Sequence, residues 1–188
     1  MLEKVILDAD FCIKLGESEK YRFLEDIVPL IAENVLMHAH AYSEVRYPNS
    51  AVEQLKKLVA DGAVHIVDET LLPPQDRMIY NLSYSKLANV MLDRRFPNKN
   101  CGEVCSLAYA KATGVPVFAT DERDLQVIVD TMLNTGIDDI SCMRIVDLIY
   151  RAKSGEVGIS RKQAKQLWVI AGKGKDAFDK DVWPLDAQ

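Results

Sequence analysis

The chain of 188 residues carries 23 Lys and Arg against 28 Asp and Glu, a net charge of -5, with 48% apolar residues, nine glycines and seven prolines. That balance excludes a disordered or fibrous chain and argues against a broad basic surface for nucleic acid, although a local basic groove is compatible with an acidic total. No apolar run approaches the roughly 18 residues that a membrane helix needs, and Met1 to Lys4 lead into a strand instead of a signal-peptide core, so a cytoplasmic protein with no membrane partner is expected.

The first predicted element is the strand Lys4-Val5-Ile6-Leu7, which runs straight into Asp8-Ala9-Asp10. Apolar residues without polar alternation read as a strand buried on both faces of a parallel sheet. A short helix from Phe11 to Leu15 follows, with Gly16 as its left-handed end. Phe23, Leu24, Ile27, Val28 and Ile31 recur at helical spacing, with a kink or break admitted at Pro29, and Val35-Leu36-Met37 begins the second strand. Ala39 to Tyr47 reads as a helix carrying Glu44, and Ser50 as the cap of the next, which ends at Gly62.

Ala63 to Val67 is the third predicted strand. From Gln75 to Arg95, Met78, Ile79, Leu82, Tyr84, Leu87, Val90, Met91 and Leu92 sketch a long amphipathic helix with Lys86, Arg94 and Arg95 on its polar face. A loop over 96–100 leads to a helix opened by Gly102-Glu103 and closed by Gly114. Val115 to Thr120 is the fourth strand, ended by Asp121; a helix over Leu125 to Leu133, a fifth strand over Ile140 to Ile145 and a helix over Val146 to Ala152 complete the alternation. The expected fold is a three-layer α/β/α arrangement around a mostly parallel sheet of four to five strands, with right-handed crossovers. A first domain over 1–153 and a C-terminal helical extension over 154–188, with Ser160 capping its helix, are expected.

Cys12, Cys101, Cys105 and Cys142 lack framework spacing and read as free thiols. Cys101 and Cys105 can share a helix face, yet no His or Cys pair elsewhere completes a zinc set by spacing. The acids are more telling. Asp8 and Asp10 follow strand one, Glu44 the second strand, Asp121 and Asp124 the fourth, and Glu103 opens a helix leading into the fourth. A parallel sheet points all its strand ends one way, so these acids converge at one edge. Each taken singly serves equally well as a helix cap or first-turn acid. Together they would repel unless a cation joins them, and an oxygen-rich site selects Mg2+ or Mn2+, the ions of phosphate-ester chemistry.

Four stretches in this order, Val5-Ile6-Leu7-Asp8-Ala9-Asp10, Tyr42-Ser43-Glu44-Val45, Gly102 to Ala108 and Phe118 to Leu125, resemble a PIN domain. These metal-dependent ribonucleases include the toxins of bacterial toxin-antitoxin pairs. The resemblance covers about residues 1–150 and implies that Asp8, Glu44, Glu103 and Asp121 hold Mg2+ or Mn2+ for hydrolysis of RNA, single-stranded or structured. Asp10 stands where the family often has Asn or Thr and reads as an extra ligand or a cap, Glu103 replaces a frequent Asp, and Asp124 competes with Asp121 for the fourth place. The resemblance also admits a homodimer and an antitoxin or other protein partner.

Arg94, Arg95 and Lys99 read equally as a solvated face or as contacts for a phosphate backbone, and Thr120 as strand filling or as a hydrogen-bond partner of a ligating acid or water. Arg161, Lys162, Lys165, Lys173 and Lys175 make the tail locally basic, as a solvated face or an RNA contact. His38 and His40 follow strand two near the acids and could touch substrate, whereas His65 reads as structural. Two other functions fit the same residues: a catalytically weak RNA-processing or binding module, and a Mg2+-dependent phosphatase.

Overall fold

The computed structural model describes residues 1–93, 95, 96 and 99–184. Five parallel strands, β1 (Leu2–Leu7), β2 (Ala32–His38), β3 (His65–Val67), β4 (Val117–Ala119) and β5 (Ser141–Met143), form one sheet in the order β3-β2-β1-β4-β5. The helices are α1 (Ala9–Gly16), α2 (Phe23–Ile31), α3 (Ala39–Glu44), α4 (Asn49–Ala60), α5 (Pro74–Met91), α6 (Cys101–Thr113), α7 (Leu125–Met132), α8 (Ile145–Lys153) and α9 (Arg161–Ile170).

The side-chain alternation of β1 divides the core. Val5 and Leu7 face a cluster built with α1, α2, α4, α8 and α9, whereas Ile6, together with Phe118 of β4, faces a cluster built with α5, α6 and α7. Val5, Ile6 and Leu7 are all fully buried, as a central strand covered on both faces requires. The expected three-layer α/β/α fold is therefore present, with all five strands parallel. Beyond α9 a helical segment over 175–182 follows, and Leu167, Trp168, Phe178 and Val182 join the same cluster as Val5 and Leu7.

Several boundaries differ from the sequence expectation for identifiable reasons. Gly16 is not left-handed; a Cβ there would come within 2.5 Å of both Cα and Cβ of Ala51. The glycine serves the close packing of α1 on α4. Gly16→Ala is accordingly expected to destabilise the fold by about 1–3 kcal/mol, read as a lowered denaturation midpoint. Ser50 does not cap α4 either: Pro48 holds that position, and the Ser50 hydroxyl donates to the carbonyl of Gly16. α2 runs through the exposed Pro29 as one helix, and β2 starts at Ala32 because its first residues pair with Leu2 and Lys4.

The largest departure is α5. It ends at Met91, and its buried residues are Tyr80, Ser83 and Leu87, leaving Met78, Ile79, Leu82 and Val90 exposed. The helix turns a mixed face to α6, where small Ala108 and Ala112 receive the Tyr80 ring. Of the predicted apolar positions, Leu87 is buried and Tyr84, Met91 and Leu92 pack against the core, while the other four stay exposed. Arg95 falls beyond the helix, and Arg94 lies outside the described residues.

Candidate metal centre

The order β3-β2-β1-β4-β5 reverses direction between β1 and β4, which makes the carboxyl ends of these two strands the topological switch point of the sheet. Leu7 pairs with Ala119, the Asp8 N–H donates to the Ala119 carbonyl at 2.9 Å, and the Thr120 N–H donates to the Met143 carbonyl at 3.1 Å. Asp8 and Thr120 thus meet in the crevice, where the Thr120 hydroxyl donates to Asp8 Oδ2 at 3.3 Å and accepts from the Glu122 N–H at 3.2 Å. Asp8 occupies the N-cap position of α1 without making a side-chain capping bond. Its Oδ1 is buried and has no partner.

Glu103 reaches the same place from the first turn of α6 and is 9% exposed, with Oε2 buried and unpartnered. Burial first, then the charges of Glu103 and Asp10, holds the Asp8 carboxyl well above the usual range. Glu103 is pushed up to about 7 by burial, with Glu44, Glu122 and Asp10 adding repulsion. Glu44 is raised by burial and by Asp10, against the pull of the Gly102 N–H, which donates to Glu44 Oε1 at 3.0 Å, and of His40. Asp8, Asp10, Glu44, Glu103 and Glu122 therefore share one field. Asp10 itself is exposed in the first turn of α1.

Asp121 is set differently. Its Oδ2 accepts from Lys14 of α1 in an ion pair, while Oδ1 is buried and unpartnered. Asp124 holds the N-cap position of α7, exposed and without a side-chain capping bond. Lys14 was missed in the sequence, although it lies four residues after Asp10 on the helix leaving strand one. Gly102 was read only as a helix start, but a Cβ there would stand 2.5 Å from Glu44 Oε2 and 3.1 Å from Ala41 Cα. Gly102→Ala is expected to displace Glu44, costing about 1–3 kcal/mol of stability and weakening Mn2+ binding in a titration by about 10-fold.

The buried, orphaned oxygens of Asp8 and Glu103 in a field of like charge fit a hard divalent cation, because such an ion removes the repulsion and supplies the missing partner. A second group of different character adjoins them. Among the described residues, His40, Cys101 and Cys105 are the three whose ligand atoms all lie within 4.8 Å of one another; no three of the acids meet that spacing. Among the described residues no second His or Cys pair joins the two cysteines, but the single His40 does, because α3 packs against α6, a neighbourhood that sequence spacing does not reveal. His40, Ser43, Glu44, Arg46 and Cys101 line a cavity of about 440 Å³.

His38 cannot touch substrate, since it is fully buried. Its Nδ1 accepts from the His40 N–H at 3.2 Å at the start of α3, its Nε2 lies 3.1 Å from Glu69 Oε2 without hydrogen-bond alignment, and burial lowers its pKa. His65 is exposed on β3. Arg95 is exposed and bound to Asp93 at 2.7 Å, and Lys99 is exposed beside the start of α6. In the tail, Arg161 and Lys165 both pair with Asp179, and they share a larger cavity of about 840 Å³ with Tyr21, Phe23, Lys162 and Lys175, lined by none of the strand-end acids.

Among the described residues no helix is long and apolar enough to cross a membrane. A scan of protein-family models finds no match to this chain, and a search of curated proteins finds no relative. The PIN resemblance thus rests on the four sequence stretches alone.

Proposed function

We propose that this chain is a divalent-metal-dependent nuclease that hydrolyses RNA phosphodiester bonds, with Asp8, Glu44 and Glu103 as the principal holders of Mg2+ or Mn2+ and Asp121, Asp10 and Asp124 as flanking acids. The observation that carries this reading is the meeting of Asp8 and Glu103, both buried and each with an unpartnered oxygen, at the switch point of the sheet. The PIN resemblance supplies the choice of RNA.

A hard divalent ion held by these carboxylates would supply an activated water and offset the charge developing on the phosphate. The protein's own part is positional. Thr120 fixes the orientation of the Asp8 carboxylate, and the Gly102 N–H fixes that of Glu44. Lys14 neutralises Asp121, which limits the negative charge that a phosphodiester meets on approach. Exposed Lys99 and Arg95, just before α6, are the cations that would meet the RNA backbone.

The discriminating experiment is incubation of the chain with mixed RNA and Mn2+, alongside a phosphomonoester substrate. Mn2+-dependent RNA cleavage that is lost on chelation supports the proposal. RNA binding without cleavage assigns a catalytically silent module instead, and phosphomonoester turnover without RNA cleavage assigns a phosphatase.

A further inference from the structure

We infer that His40, Cys101 and Cys105 form a second metal site, for Zn2+ or a similar thiophilic ion, joining α3 to α6 beside the acid cluster. The chemistry of the donors sets the ion class. Imidazole and thiolates select zinc-like cations, whereas carboxylates suit Mg2+ and Mn2+, and only the first set gives a thiolate signature on binding.

The geometry is close to what such an ion requires. Cys101 Sγ lies 4.0 Å from His40 Nδ1, and all three ligand atoms fall within 4.8 Å of one another. Tetrahedral zinc with ordinary Zn–S and Zn–N bonds needs a sulfur-to-nitrogen separation of roughly 3.5 Å, so contraction by about half an ångström brings the Cys101–His40 pair to ligating distance. Cys101 and Cys105 are fixed one turn apart on α6, and His40 sits in the first turn of α3, where its N–H is held by His38.

The surroundings also suit a metal. Tyr80, packed against the helix that carries Cys105, stands where an outer contact can orient a ligating sulfur. Cys105 is buried, Cys101 half-buried and His40 exposed, so the set grades from the interior to the cavity shared with Ser43, Glu44 and Arg46. Three protein ligands would leave a fourth position for water or a small ligand. Binding releases the two thiol protons to solvent as the sulfurs become thiolates.

The test uses the full chain and the metal alone. Titration with Co2+ is expected to give the thiolate-to-cobalt charge-transfer absorption with one equivalent bound, and Zn2+ is expected to displace it. Cys101→Ser, at the half-buried first position of α6, should lower Zn2+ affinity by at least about 10-fold and diminish that absorption. His40→Gln should lower affinity with the absorption retained, and circular dichroism checks that both variants are folded. Cys142→Ser should give the same absorption and affinity as the unaltered chain. Absence of the absorption in the unaltered chain, its persistence at full strength in Cys101→Ser, or its loss in Cys142→Ser would overturn the assignment.

Discussion

Asp8→Asn is expected to reduce Mn2+-dependent RNA cleavage by at least about 100-fold, more than outer-contact changes at metal sites usually cost, while leaving the metal-free chain at least as stable as before. The two expectations have one origin. Asp8 is the acid that the fold presses hardest: 1% exposed, facing Glu103 and Asp10, with one oxygen lacking any partner. An amide of the same shape keeps an oxygen to accept from Thr120 and removes the charge that burial penalises. It also removes an anionic ligand of the proposed metal site. Cleavage assays and thermal melts on the same preparation check both arms, and a variant that loses activity together with stability would point to a structural role for Asp8.

The second large effect concerns pH and metal together. Glu103 titrates near 7 in the folded chain against an ordinary 4.5, and Asp8 and Glu44 are displaced in the same direction. Between those values the folded state holds more protons than the unfolded state, so stability is greatest at the acid end of the window. It falls as pH rises through about 4.5 to 7 and stays low above it. A divalent cation that binds the ionised acids should reverse this loss. Melting temperature without metal should therefore decline across the window, and Mn2+ should raise it more at pH 8 than at pH 5. Glu103→Gln should flatten the metal-free decline and shrink the Mn2+ effect. An Mn2+ effect independent of pH would contradict the assignment of Glu103 to the metal.

The fold was legible because strands buried on both faces and helices of ordinary length announce themselves by apolar runs. Val5-Ile6-Leu7 alone indicated a central parallel strand, and it is one. Parallel topology brings Asp8, Asp10, Glu44 and Glu103 into one field, whereas Asp121 is paired with Lys14 and Asp124 is exposed at the start of α7. What the residues did not disclose was contact between elements. Lys14 meets Asp121 across 107 positions of sequence, and Gly102 needs its missing side chain only because Glu44 arrives from α3. His40 completes a group with Cys101 and Cys105 for the same reason. The exposed apolar residues of α5 mark the opposite failure: periodicity shows that a helix has an apolar face, but neighbouring side chains decide which face is covered.

The central claim is that the strand-end acids hold a hard divalent cation. Its most direct measurement is a crystal structure from Mn2+-containing solution with anomalous difference density collected at the manganese edge. The account predicts a peak between the carboxylates of Asp8 and Glu103, with Glu44 drawn toward it and Thr120 still bonded to Asp8. A map with no peak there at saturating Mn2+, or with manganese only at His40 and the two cysteines, would contradict it.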